Sequence, residues 1–129
     1  MPSLVAETIR YQTPVIHMRR TATRDTELAG QRIRQGDKVV MWYVSGNRDD
    51  SVIEDADAFI VDRTKPRQHL SYGAGIHRCV GDQLADLQLK ILWEEILSRD
   101  LDIQVMGPPR RLFSNFIRGI RELPVQIRM

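Results

Sequence analysis

Tyr72-Gly73-Ala74-Gly75-Ile76-His77-Arg78-Cys79-Val80-Gly81 is a glycine-rich loop that runs into the most regular apolar pattern of the chain. In residues 80–98, Val80, Leu84, Leu87 and Ile91 form one stripe at helical spacing, and Ala85, Leu89, Leu92 and Ile96 form a second beside it. Two adjacent stripes predict a largely buried helix. The single cysteine, Cys79, thus falls at a helix start, where backbone N–H groups and the positive end of the dipole favour a thiolate. Gly75 lets the backbone bend sharply or pass close to a flat object, and Gly81 lets the first helical turn come near it. These are the demands of a thiolate aimed at a bulky planar ligand. Three other readings stay open on these residues alone. A lone cysteine is most often a buried small hydrophobe. A structural zinc site needs four ligands, and His77 and Cys79 are the only close soft ones. A cysteine nucleophile needs a base, and His77, two residues away, is not obviously placed to be one.

Upstream of the loop, residues 59–79 have no sustained period, and loops this long in compact domains tend to be functional or disordered. Residues 45–58 are polar and rich in Asp, with a helical turn expected around Asp49 to Val52. Before them, Val15-Ile16-His17-Met18 and the apolar run 38–44 read as short antiparallel strands, with turns at Ala29-Gly30-Gln31 and Gln35-Gly36-Asp37. Residues 3–11 predict a helix with Ser3 as N-cap and Pro14 blocking extension. Glu7 and Arg10, three apart, lie on one side of it. Downstream, Leu101 to Val105, Arg111 to Ile117 and Pro124 to Ile127 read as short strands broken by Gly107-Pro108-Pro109 and Gly119. Helix, strands, long loop, helix, strands is a mixed α+β order that suits the closing part of something larger.

The chain has 129 residues, 42% hydrophobic and 28% charged, which suits one small ordered domain or a part of one. Nineteen Lys and Arg against seventeen Asp and Glu give a net charge of +2, with the arginines scattered and no polybasic block. Trp42 and Trp93 lie in apolar runs, so a nucleic-acid-binding domain is disfavoured. The longest apolar run, Val39 to Val44, is far too short to span a bilayer. One cysteine excludes an intramolecular disulfide, and Met1-Pro2-Ser3 lacks the basic and apolar regions of a secretory signal, so a reducing cytoplasm is expected.

The cysteine loop resembles the haem-binding loop of cytochromes P450, whose pattern is Phe-x-x-Gly-x-His/Arg-x-Cys-x-Gly. Tyr72, Gly75, His77, Cys79 and Gly81 fall on it in register. The departure is Tyr72 for Phe, which adds a hydroxyl that must find a partner. Glu7-Thr8-Ile9-Arg10 resembles the family's Glu-x-x-Arg motif, and Arg63, after Phe59-Ile60-Val61-Asp62, sits where the family places the second arginine of a Glu-Arg-Arg cluster. In such a cluster a buried carboxylate shared by two guanidinium forks pins the long loop to the helix. The competing reading of Glu7 and Arg10 is an exposed ion pair worth about 0–1 kcal/mol.

The resemblance implies an α+β fold class, the C-terminal portion of the mainly helical P450 fold: Glu-x-x-Arg helix, small β-sheets, cysteine loop, long buried helix and terminal β-hairpin. Residues 1–129 would be a C-terminal fragment of one such domain, since a complete member is roughly three times as long and far better able to enclose a large cofactor. The cofactor implied is haem b, with Cys79 as axial thiolate, His77 and Arg20 toward the propionates, and Tyr72, Gly75 and Gly81 shaping the loop. Arg19 reads equally as a solvated charge. Ile16, Met18 and Phe116 fall in segments that contact substrate in the family, or else fill the core.

A narrower likeness runs through Tyr11-Gln12-Thr13-Pro14, His17 to Ala22, Met41 to Asp49 and Ser114-Asn115-Phe116, and points to the bacterial group that hydroxylates alkanes at the terminal carbon. The chemistry implied is insertion of one oxygen atom of dioxygen into a C–H bond of an apolar substrate by the complete enzyme, with the isolated chain inactive. Ferredoxin and its reductase are the implied electron donors, with Arg78 a candidate docking charge. A haem-binding or sensing module without turnover is the alternative.

Overall fold

The structure is a computed structural model and describes residues 1–128. Helix α1 spans Pro2–Gln12. Proline stands in its first turn, where the missing N–H has no partner to lose and φ is already helical. Met1 is therefore the N-cap, and Ser3 lies inside the helix rather than capping it. At the other end Thr13 adopts a left-handed conformation, φ 43°, with its N–H donating to Ile9 O, and Pro14 stops the helix. Val5, Ala6, Glu7, Ile9 and Arg10 are all buried, so α1 is enclosed on most sides and forms the centre of the core with Tyr43, Ile53 and Ala56.

The chain continues through β1 (His17–Thr21), β2 (Thr26–Leu28), β3 (Gln31–Ile33) and β4 (Lys38–Trp42). β1 pairs antiparallel with β4, His17 opposite Trp42 and Thr21 opposite Lys38, while β2 and β3 form a separate exposed ladder. The strand expected through residue 44 stops at Trp42. Tyr43–Gly46 forms a single helical turn, α2, which buries the Tyr43 ring and delivers Asn47 into the core. Residues 47–74 follow without helix or strand.

Helix α3 spans Asp82–Ser98, two residues later than the apolar pattern begins. The expectation that it is buried is overturned: no residue of α3 is buried, and Leu84, Leu87, Ile91 and Leu92 are each about half or more exposed. The two apolar stripes exist as read, but within the described residues only α1 packs substantially against this helix. One helix can cover only part of so broad an apolar surface.

The last third holds β5 (Asp102–Val105), β6 (Arg110–Arg111), β7 (Ile120–Glu122) and β8 (Val125–Arg128). β5 pairs with β8 and β6 with β7, so the terminal hairpin is in fact two nested antiparallel ladders. The strand expected over 111–117 shrinks to two residues beside the donor-poor Pro108-Pro109, followed by an open loop. That loop returns to the start of the chain: Ile16 N–H donates to Phe116 O at 2.9 Å, Arg118 N–H to Pro14 O at 2.8 Å, and Val15 bridges Ile117.

Candidate cofactor pocket at the cysteine loop

Glu7 and Arg10 lie one turn apart on α1, both wholly buried. Arg10 donates from Nε and Nη2 to the two Glu7 oxygens, 2.7 Å each, in a bidentate fork. Arg63, far along the chain, brings its Nε to 3.2 Å of Glu7 Oε2 and its Nη2 to 3.4 Å of Oε1, and Ile60 N–H donates to Oε1 at 2.8 Å. Both arginines also satisfy carbonyls of the irregular segment. Arg10 bonds Asn47 O, Ala56 O and Ala58 O, and Arg63 bonds Glu54 O, Asp55 O and Ala58 O. Segment 54–60 thus hangs on one carboxylate and two guanidinium groups. Burial by itself would push the Glu7 carboxyl up, but the bonds from Arg10, Ile60 N–H and Arg63 outweigh it and hold the pKa down to about 2. Glu7 is therefore a carboxylate at every ordinary pH, and the exposed ion pair considered for Glu7 and Arg10 is not what these residues form.

Asn47 is a second fastening point, and nothing in its sequence context marks it. It is fully buried. Its Nδ2 donates to Thr13 Oγ1 and Ser71 Oγ, each at 2.9 Å, and its Oδ1 accepts from Leu70 N–H. Ser71 in turn donates to Ile9 O at 2.8 Å. The residue immediately before the cysteine loop is thereby tied to α1.

The loop itself is a closed ring. Cys79 N–H donates to Tyr72 O at 2.8 Å, and between them a single 3₁₀ turn, Gly75–His77, is closed by Arg78 N–H on Gly75 O. Gly73 and Gly75 take φ +71° and +64°, a region L side chains avoid. At Gly75 nothing lies within 4 Å of where a Cβ would stand, so the glycine serves the bend and leaves open space before it. At Gly81 a Cβ would stand 3.9 Å from Cys79 Sγ, an ordinary contact. α3 begins at Asp82, so Cys79 precedes the first helical turn rather than opening it, and it is an exposed residue.

The Tyr72 hydroxyl has its partner in Asp86 of α3, 2.8 Å away. Burial first, and then this bond and the nearby carboxylates, raise the Tyr72 pKa well above that of a free phenol. Arg78, the candidate docking charge, donates to Asp82 at 2.7 Å and remains half exposed.

Cys79, His77, Tyr72, Gly73, Met18 and Arg20 line a common pocket of about 330 Å³, walled further by Pro14, Val15, Tyr43 and Ser71. Met18 and Arg20 reach it together because alternate residues of β1 share a face. Arg20 hydrogen-bonds only the neighbouring Arg19 carbonyl, leaving its remaining donors free of any carboxylate among the described residues. Ile16 and Phe116 do not line this pocket. They sit beside one another through the Ile16–Phe116 backbone bond, and Phe116 is 40% exposed. Gly75 and Gly81 do not line it. A thiol, apolar walls and two nitrogen side chains on one pocket fit one face of a flat apolar group carrying anionic substituents. Among the described residues no set of three or more His, Cys, Asp or Glu side chains could hold a bare metal ion, so a metal here would come within a larger group. No helix among them is long and apolar enough to cross a membrane.

Sequence reasoning missed Tyr43, Asn47, Ser71 and Asp86. Only Asp86 carried a usable signal, its place four residues after Asp82 on a helix that follows the loop.

Comparison with known proteins gives the same picture over the whole chain. The family model described as Cytochrome P450 matches residues 1–118. The linalool 8-monooxygenase of Pseudomonas putida is 48% identical over 125 residues, covering 97% of this chain and 30% of that protein. A methyl-branched lipid omega-hydroxylase of Mycobacterium tuberculosis (strain ATCC 25618 / H37Rv) is 42% identical, over 96% of this chain and 29% of that protein. The solved cytochrome P450-153 from Novosphingobium aromaticivorans superposes with TM-score 0.95 at 53% identity, covering 98% of this chain and 32% of that one. The chain thus spans about 30% of the length of the curated relatives it matches.

Proposed function

Since the chain belongs to the cytochrome P450 family, whose members bind haem b through a cysteine thiolate, we propose that it forms the proximal, cysteine-bearing part of a haem-thiolate monooxygenase. Cys79 would ligate the haem iron through its sulfur. When bound, the haem supplies dioxygen activation and insertion of one oxygen atom into a C–H bond, favoured by electron donation from the thiolate. The chain's own residues hold and orient. His77 and Arg20, both lining the pocket, would pair with the propionates. Gly75, with nothing within 4 Å of where a Cβ would stand, would leave the macrocycle room, and Tyr72 and Gly81 would shape the loop on either side of the sulfur. Glu7, Arg10 and Arg63 keep the irregular segment, and with it the loop, fixed to α1. The observation that carries this reading is the convergence of Cys79, His77 and Arg20 on one apolar pocket.

The substrate is an apolar chain, hydroxylated at its terminal carbon, of the alkane or fatty type. The apolar side chains of Ile16, Met18 and Phe116 support this, as do the names of the relatives, which act on linalool and on methyl-branched lipids. Electrons come from a ferredoxin and its reductase, on the face where Arg78 remains half exposed, and the enzyme works in the cytoplasm. The chain acts as one portion of a larger single domain and does not turn over substrate alone. The exposed stripes of α3, at Leu84, Leu87, Ile91 and Leu92, support that view, because an apolar face of that breadth is stable only when covered.

The test is a haem titration followed by the absorption spectrum of the reduced carbon monoxide complex, for the wild-type protein and for Cys79→Ala. The expected result is a red-shifted Soret band in the wild type that the variant lacks. The same band in Cys79→Ala would dismiss Cys79 as ligand.

A further inference from the structure

Asp82 and Asp86 stand four residues apart at the start of α3, hence on one face of the helix. Each grips one flank of the cysteine loop. Asp82 accepts from Arg78 Nε at 2.7 Å, directly beside Cys79. Asp86 accepts from the Tyr72 hydroxyl at 2.8 Å, and the Tyr72 carbonyl accepts from Cys79 N–H at 2.8 Å. Tyr72 is therefore joined to α3 by its side chain and to Cys79 by its backbone. The two flanks also meet, with the Arg78 guanidinium 5.8 Å from the Tyr72 ring centroid. Arg67 Nη2 lies 3.7 Å from the other Asp86 oxygen. The Phe of the family pattern could make no such bond.

We propose that Asp86, acting through the Tyr72 hydroxyl, is a positioning residue that locks the cysteine loop against α3 and sets how firmly Cys79 is held toward the haem. The inference rests on Cys79 being the haem ligand. Hydrogen bonds to an ionised acceptor are the strong ones, and the ring of eight residues from Tyr72 to Cys79 has few others to fix it to the helix.

The experiment follows transfer of haem from the haem-loaded enzyme to a scavenging apoprotein, beside the spectrum of the reduced carbon monoxide complex and a urea unfolding curve. Tyr72→Phe is expected to speed haem loss about tenfold, corresponding to about 1.4 kcal/mol. Asp86→Leu should speed it as much, the double variant no further, and Asp86→Asn, which keeps an acceptor, should recover part of the loss. Unchanged haem loss in Tyr72→Phe, additive effects in the double variant, or a lowered unfolding midpoint with unaltered haem loss would each overturn the lock. The spectra separate this from the underlying assignment. A red-shifted Soret band present in the wild type and absent from Cys79→Ala keeps Cys79 as ligand even if the lock fails, whereas its absence from the wild type defeats both.

Discussion

Replacing Glu7 by Ala leaves Arg10 and Arg63 buried and facing each other across the space of the lost carboxylate, with Ile60 N–H also deprived of its acceptor. Two routes give the size of the effect. Removing one member of a buried, hydrogen-bonded ion pair costs about 3–5 kcal/mol. The fall of the Glu7 pKa from 4.5 to about 2, at about 1.4 kcal/mol per pH unit, is worth about 3 kcal/mol. With a urea slope of about 2 kcal/mol per molar, the unfolding midpoint of the haem-loaded protein should drop by about 1.5–2.5 M. The change follows pH in a definite direction. A carboxyl whose folded pKa is depressed stabilises fully above its unfolded value of 4.5, and that contribution disappears as the pH falls through about 2. The gap between wild type and Glu7→Ala is therefore widest near neutrality and narrows from pH 4.5 downward. Urea titrations at pH 7 and at pH 3, read by far-ultraviolet circular dichroism and by Soret absorbance, measure both. A midpoint shift under about 0.5 M at pH 7, the size expected of an exposed pair, would refute the reasoning.

Other perturbations read different parts of the same arrangement. Asn47→Ala deprives Thr13, Ser71 and Leu70 N–H of their partner in a buried site and should destabilise by about 2–4 kcal/mol, measured by the same titration; a change below about 0.5 kcal/mol would mean water replaces it freely. Gly75→Ala meets no steric obstacle in the chain but forces a left-handed alanine at φ +64°, so about 1 kcal/mol of strain in the loop should appear as weaker haem retention in a titration. Arg10→Lys cannot reproduce the fork onto Glu7 or reach three carbonyls at once, and thermal unfolding should show it nearly as damaging as Glu7→Ala. Met18→Trp narrows the pocket, and turnover in the complete enzyme should shift toward shorter apolar chains when product is followed by gas chromatography; an unchanged length profile would place Met18 outside the substrate path.

Residue order alone carried the parts of this protein that local rules govern. The helix at residues 2–12 was legible from its proline stop, the strand near residue 40 from its apolar run, and the helix at 82–98 from its two stripes. The cysteine loop was legible through its resemblance to the haem-binding loop of cytochromes P450, carried by Tyr72, Gly75, His77, Cys79 and Gly81 within ten consecutive residues; their spacing alone left a buried thiol, a zinc ligand and a nucleophile open. The pairing of Glu7 with Arg10 was likewise local, three residues apart on a helix. What lay beyond local rules was what joins distant segments: Arg63 meeting Glu7 was implied by the family resemblance, and the other long-range contacts had no such guide. Asn47 touches Thr13 and Ser71, 34 and 24 residues away, and no periodicity distinguishes a buried asparagine in a polar stretch from an exposed one. Tyr72 announced a hydroxyl in need of a partner, but only the path of α3 beside the loop decided that Asp86 supplies it. The stripes of α3 revealed an apolar surface without saying what lies against it, since pattern reports the character of a face and burial depends on the neighbours that tertiary packing provides.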